Sequence, residues 1–448
     1  MGNFLSDTKR RSGLVLFVFF ALSTIISIYL VYYSAIIPGL SSEGDKLKIS
    51  VKKEEERSKT IEGSFIDSTG EIITHAEEYG KNGKCEHLSY SQLIGYYRTS
   101  ENKRYGLRKK YSDYLYKGDK NHHGANIQLT TINKVQDAAY EAIRGTEGCV
   151  VIIENKTGRI IALATAFPDV EMNINDIDSN WNEMNSNTHS GFLQQNWYKK
   201  LAPGSVIKPL NATLVYDMGM ANTVYYDDGT ERIDGFSFHN SGRARNGNIT
   251  LRNAIVKSCN TYFAHMANEV GPVKLQNRME ALYIGKPLML DFATIESAHN
   301  LTSSNQTEVA SAGFGQGKLL LTPINIAMIG QAIANRGEVL KPYLIDSIFY
   351  EDQVIAKGHT ESLGRLCSVE AADYVSNAML DAAESYGISR KRGIHAKTGT
   401  ADVGNSNRAS FLSFNDKYTV CIVENNTNKF GKKLKPQVLK LYDLLEDL

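Results

Sequence analysis

Leu201-Ala202-Pro203-Gly204-Ser205-Val206-Ile207-Lys208-Pro209-Leu210 brings a serine through a Pro-Gly turn to the start of an apolar run, Val206 to Met218, that reads as a helix. Pro209 fits such a helix only in its first turn, where a missing N–H costs little. Ser205 then sits at or near the helix N-terminus, where backbone N–H groups and the dipole favour negative charge. Lys208, three residues on, shares its face. A serine needs a base to become a nucleophile, and a lysine serves if burial lowers its pKa. Val206, Ile207 and Leu210 are placed to supply that burial. The same Ser-x-x-Lys spacing recurs at Ser6–Lys9, Ser50–Lys53 and Ser100–Lys103, but in polar, charge-rich sequence with no helix start. Taken alone, Ser205 also reads as an ordinary helix cap.

Two later segments change that balance. Ser258-Cys259-Asn260 separates two helical patterns, Ile249–Lys257 and Thr261–Glu269. Lys397-Thr398-Gly399 lies in an apolar strand pattern, His395–Thr400. Each has a decoy. Lys156-Thr157-Gly158 precedes Ser205 and sits on a hairpin turn, while Ser303-Ser304-Asn305 and Ser413-Phe414-Asn415 lie in a polar loop and at a strand end.

Ser205-x-x-Lys208, Ser258-x-Asn260 and Lys397-Thr398-Gly399, in that order, resemble the signature of penicillin-binding proteins and serine β-lactamases. The likeness extends to the hairpin Glu154–Ala164, to Gly313-Phe314-Gly315-Gln316-Gly317 with Leu321-Thr322-Pro323, and upstream to Gly63–Gly70 and Ser91–Tyr96. It is closest to class B penicillin-binding proteins and covers about residues 61–425. The fold it implies is an α/β (α+β) one: an antiparallel sheet flanked by helices plus an all-helical subdomain, with a small α+β pedestal before it.

The resemblance implies a peptidoglycan D,D-transpeptidase. It would acylate Ser205 on a D-Ala-D-Ala stem peptide and pass the acyl group to an amine on a neighbouring strand. β-Lactams would acylate the same serine. Lys208 would take the serine proton, Ser258 would relay it to the leaving amine, and Asn260 would orient the substrate amide. Lys397 would face a substrate carboxylate. Thr398, Gly399 and Thr400 would bind an extended peptide, Gly399 leaving room for close approach. The backbone N–H groups of Ser205 and Thr400 would form the oxyanion hole. A D,D-carboxypeptidase would use the same motifs and hand the acyl group to water; a non-catalytic scaffold or a β-lactam sensor is the alternative from another class. β-Lactamase action fits poorly with an anchor and pedestal.

Two departures stand out. Relatives often read His-Ala-Trp-Phe where this chain has Arg408-Ala409-Ser410-Phe411, so an aromatic is lost. The pedestal opening carries Glu62 and Ser68 where arginines are usual. Cys259 reads as a small filler.

The apolar and charged fractions are those of a globular protein. The 448 residues carry a net charge of +1 and no long like-charge run, which argues against a nucleic-acid partner. The five cysteines and ten histidines show no metal-ligand spacing, so no metal or cofactor is expected. Gly13–Ile37 is almost wholly apolar, long enough to span a bilayer, and follows Lys9-Arg10-Arg11. This gives a cytoplasmic tail (1–12), a transmembrane anchor (13–37), a linker (38–60), the pedestal (61–125) and the transpeptidase domain (126–448). The protein is thus expected in the cell membrane, single-pass, with its catalytic part outside. No glycosyltransferase domain is visible, so the resemblance implies a membrane glycan polymerase of the SEDS type as partner.

Overall fold

The computed structural model describes Ser23, Thr24 and residues 59–448, apart from 79, 119–120, 169–170, 187–195, 300 and 302–304. The chain divides into Met1–Lys59 and a compact unit, Thr60–Leu448. The apolar stretch Gly13–Ile37 lies outside the described residues except for Ser23 and Thr24. Among the described residues no helix is long and apolar enough to cross a membrane.

Five strands make the central antiparallel sheet: β1 (Glu147–Glu154), β2 (Ile160–Ala166), β3 (His395–Val403), β4 (Ser406–Phe414) and β5 (Tyr418–Thr427). Their order is β3-β4-β5-β1-β2, so strands far apart in sequence meet where β5 pairs with β1. The expected hairpin is β1–β2, and the decoy Lys156-Thr157-Gly158 forms its turn. Both faces are covered, which explains why Cys149–Ile153 of β1 and Ile160–Ala164 of β2 are continuous apolar runs rather than alternating. Val150, Ile152 and Phe411 face helices α1 (Asn133–Ile143) and, from the far end, the C-terminal helix Lys435–Glu446. Val151, Ile153 and Leu412 face the opposite layer, whose central element is the almost fully buried helix Pro323–Ala334. Its start is written in sequence: Thr322 and Asn325 form a capping box with Pro at the first turn.

The segment around Ser205 is a short 3-10 turn, Gly204–Ile207, running into helix α2 (Lys208–Asp217). Pro209 lies in the first helical turn, as the sequence requires. Helix α3 (Asn260–Val270) follows the second motif. The antiparallel pairs Tyr225–Asp227 with Gly247–Ile249 and Thr230–Ile233 with Phe236–His239 were not foreseen.

A second sheet combines the hairpin Phe65–Ile66 and Ile72–Thr74 with Asn126–Leu129 and the strands Ile345–Tyr350 and Gln353–Lys357. Asn126–Leu129 pairs with Phe65–Ile66 on one side and with Ile345–Tyr350 on the other. One sheet therefore crosses position 125/126, and residues on both sides of it share a hydrophobic core. Glu62, noted above as a departure, is buried against Arg108, 2.6 Å away.

Candidate active site

β3 is an edge strand, paired only with β4. Its free side lies against the Gly204–Ile207 turn, and the contact depends on glycines. Gly204 and Gly315 both have positive φ, 61° and 87°. Gly204 N–H donates to the Gly315 carbonyl at 2.9 Å. A Cβ on Gly315 would stand 2.1 Å from the Gly204 oxygen, and one on Gly204 would stand 3.0 Å from the Thr400 oxygen. No side chain fits at Gly315, so two backbones hold the serine turn beside the strand. Gly399, expected to admit a substrate, instead faces this turn: its missing side chain would meet Val206 and the Pro203 carbonyl.

Ser205, Ser258, Asn260, Thr398 and Thr400 open onto one cleft of about 620 Å³. Lys208 and Lys397 are fully buried at its base. Lys208 Nζ lies 2.7 Å from the Ser258 carbonyl, 2.7 Å from Asn260 Oδ1 and 3.3 Å from Ser258 Oγ. Lys397 Nζ donates to Ser258 Oγ at 2.8 Å and to the Thr398 carbonyl at 2.9 Å. Ser258 thus stands between the two lysines, held in a left-handed conformation with φ 54°. Both ends of the Asn260 side-chain amide have partners within the protein. Its Oδ1 is occupied by Lys208, and its Nδ2 donates to the His239 carbonyl at 3.0 Å.

Electrostatics favour an uncharged Lys208. Burial first, and the neighbouring Lys397 second, push its pKa well below the usual lysine range. A neutral amine has two N–H groups and one lone pair. The Ser258 carbonyl and Asn260 Oδ1 can only accept, so they take both N–H groups and leave the lone pair for a hydroxyl. Burial also lowers Lys397, against the pull of the nearby Tyr386 hydroxyl.

The sequence reading missed what holds Ser258 and Asn260 in place. Asp227, buried, is the centre of a polar cluster. It accepts from Asn240 Nδ2 at 2.9 and 2.8 Å, from Thr261 Oγ1 at 2.7 Å, from Gly229 N–H at 2.9 Å and from Asn246 N–H at 3.1 Å. Asn240 Oδ1 in turn accepts the Asn260 N–H at 2.7 Å. Burial alone would raise the Asp227 pKa, but the donated bonds, Thr261 foremost, outweigh it and hold the carboxyl below its usual range. Cys259 is more than filler. Its sulfur caps α3 by accepting the Tyr262 N–H at 3.4 Å, and it lies 3.4 Å from Asp227 Oδ2. Asp227-Asp228-Gly229 reads in sequence only as a turn. Among the described residues no group of His, Cys, Asp and Glu is arranged to hold a metal ion.

The departures on β4 also find their places. Arg408 Nε donates to Asn425 Oδ1 at 2.6 Å and Nη1 to the Ala202 carbonyl at 3.2 Å, tying β4 and β5 to the segment before Ser205. Ser410 is small where relatives carry an aromatic, and the turn beginning at Gly431 packs on its carbonyl and on that of Gly399. Gly431 N–H donates to Thr400 Oγ1 at 3.2 Å. The decoy Ser413 is buried in the core, bonded to Tyr442. Of the other decoy, Ser303 and Ser304 lie outside the described residues, and Asn305 caps the helix Gln306–Gly313.

Residues 148–441 match the family model for the penicillin binding protein transpeptidase domain. The chain is 25% identical over 311 residues to peptidoglycan D,D-transpeptidase PbpA of Mycolicibacterium smegmatis, covering 64% of this chain and 62% of that protein. It is 25% identical over 236 residues to penicillin-binding protein 3 of Bacillus subtilis, covering 50% and 34%. The match thus spans less than two thirds of these relatives' own length. Among solved structures, the D,D-transpeptidase domain of a peptidoglycan glycosyltransferase from Eggerthella lenta superposes with a TM-score of 0.78 at 23% identity, covering 87% of this chain and 99% of that one. The ceftriaxone acyl-enzyme complex of penicillin-binding protein A from M. tuberculosis gives 0.76 at 20% identity, covering 86% and 98%.

Proposed function

The chain belongs to the penicillin-binding protein transpeptidase family, with the class B members, and on that premise we propose that it is a peptidoglycan D,D-transpeptidase. The observation that carries the reading is the pair of buried lysines, both hydrogen-bonded to Ser258 at the base of the cleft that Ser205 enters.

Ser205 Oγ attacks the carbonyl of the penultimate D-Ala while the Lys208 lone pair takes its proton. The oxyanion forms against the backbone N–H groups of Ser205 and Thr400. The proton moves through Ser258 Oγ to the amine of the terminal D-Ala, which leaves as the C–N bond breaks. An acceptor amine then enters where that amine left. It gives its proton back along the same route and forms the cross-link, and Ser205 Oγ is released. Lys397 holds Ser258 Oγ and faces the substrate carboxylate; Thr398 and Thr400 line the peptide's path. β-Lactams acylate Ser205 by the same first step.

The domain arrangement belongs to the same proposal. Residues 13–37 anchor the protein in the membrane with residues 1–12 in the cytoplasm. Residues 38–60 are a tether, residues 61–125 act as a pedestal for 126–448, and anchor and pedestal dock a SEDS-type glycan polymerase. The apolar stretch and its preceding basic residues support this placement.

The test is covalent labelling of the full-length chain, in detergent, by a fluorescent penicillin, beside a Ser205→Ala variant. A denaturation-stable adduct on the wild type alone is expected. An unlabelled, folded wild type overturns the reading.

A further inference from the structure

Thr398, Thr400 and Asp402 all line the cleft. They alternate along edge strand β3 and therefore share one face, the one a peptide laid against that edge would meet. Asp402 is exposed and forms no ion pair among the described residues. It is also the one carboxylate among the described residues lining the cleft, where Lys257 and Lys432 supply opposite charge. Lys397, buried and bonded to Ser258 beneath the cleft, and Asp402, exposed further along β3, have Cα atoms roughly 17 Å apart at strand rise. The edge is thus polarised, cationic at one end and anionic at the other.

We propose that Asp402 is a specificity residue that takes a cationic side-chain amine on the donor stem, at the residue just N-terminal to the D-Ala-D-Ala pair. This rests on the transpeptidase reading above. Direction follows from charge: a terminal carboxylate drawn to Lys397 and Thr398 leaves the peptide running back toward Asp402, antiparallel to β3. With the acyl carbonyl beside Thr400, the preceding residue lies about 3.4 Å further along the strand. A long amine side chain spans the remaining distance to the carboxylate. The amine itself is required by the chemistry, because stems cross-linked by aminolysis carry both a D-Ala-D-Ala end and an amine. By microscopic reversibility the acceptor amine enters at Ser258, where the leaving amine departed. Asp402 lies on the other side of Thr400, which assigns it to the donor.

The experiment compares two synthetic donors on the full-length protein, identical except that the side-chain amine is free in one and acetylated in the other. Each is tested on wild type, Asp402→Asn and Asp402→Glu, with fluorescent penicillin labelling of the wild type run in parallel. The wild type is expected to use the free-amine donor with about fourfold higher kcat/KM, carried by KM, the effect shrinking as salt is raised. Asp402→Glu keeps the ratio and Asp402→Asn brings it to about one. A wild-type ratio of one, or a ratio that survives in Asp402→Asn, overturns the proposal even if penicillin labels normally. Should the wild type take no penicillin label, the transpeptidase reading itself fails. If the Asn variant does not fold, the wild-type ratio and its salt dependence still decide.

Discussion

Lys208 Nζ lies 2.7 Å from Asn260 Oδ1, so the second motif's asparagine holds the first motif's lysine. The bond fixes a buried amine in one rotamer and consumes one of its two protons. An Asn260→Ala variant leaves that N–H unsatisfied in the interior. It is expected to slow acylation by fluorescent penicillin about tenfold, at unchanged secondary structure by circular dichroism.

Lys208→Arg tests the base itself. A guanidinium is charged and cannot lose a proton at working pH, so it offers no lone pair. Acylation is expected to fall on the order of 10³-fold, measured as the second-order rate of label incorporation. A loss of less than tenfold would remove Lys208 from the proton path.

Lys397 is one of the two causes that depress the Lys208 pKa. Replacing it by Met removes a cation, so the Lys208 pKa rises. Less neutral amine then remains at a given pH, and the acidic limb of the acylation profile moves to higher pH. The position of that limb is the readout, since its amplitude also reflects lost carboxylate binding. A limb that stays in place or moves to lower pH contradicts the assignment.

Asp227→Ala leaves the donors of Asn240, Thr261, Gly229 and Asn246 without their shared acceptor. A loss of about 3 kcal/mol in urea unfolding is expected, together with slower acylation as Asn260 loosens. The pH dependence has a definite sign. The folded carboxyl titrates below its ordinary 3.8, so its contribution is present above that value and disappears as pH falls through the lower one. Acid unfolding of the wild type therefore steepens below pH 3.8, and that of the alanine variant does so less.

What the sequence discloses and what it hides divide along one physical line. The serine turn, the helix at Pro323 and the β1–β2 hairpin are specified by neighbours a few residues apart, through caps, turns and apolar runs. The Asp227 cluster joins residues up to 34 apart, with no period to announce it. Cys259 could not be recognised as a cap without Tyr262 folded above it. The same applies to the sheet linking Phe65–Ile66, Asn126–Leu129 and Ile345–Tyr350, whose strands come from both sides of position 125/126. Gly399 had the right residue type for close approach, but the approaching group is the protein's own turn.

Gly431 tests how the turn after β5 is seated. A Cβ there would stand 2.4 Å from the Gly399 oxygen and 2.5 Å from the Ser410 oxygen, both backbone atoms that cannot swing aside. Gly431→Ala is expected to cost about 2 kcal/mol and to slow acylation by displacing Thr400. A Ser410→Ala variant, which only removes an unpartnered buried hydroxyl, is expected to be neutral or mildly stabilising.

The pairing of β1 with β5 has a consequence for synthesis of the chain. A ribosome delivers β1 and β2 early and β3, β4 and β5 last. Throughout translation of the intervening residues, β1 presents a bare edge, apolar over Cys149–Ile153, with no strand to close it. The sheet can therefore be completed only after β5 has emerged, a slow, long-range closure. The nucleophile on its early turn meets the lysine on its late strand at that same moment. The candidate site is assembled only once the late strands are in place.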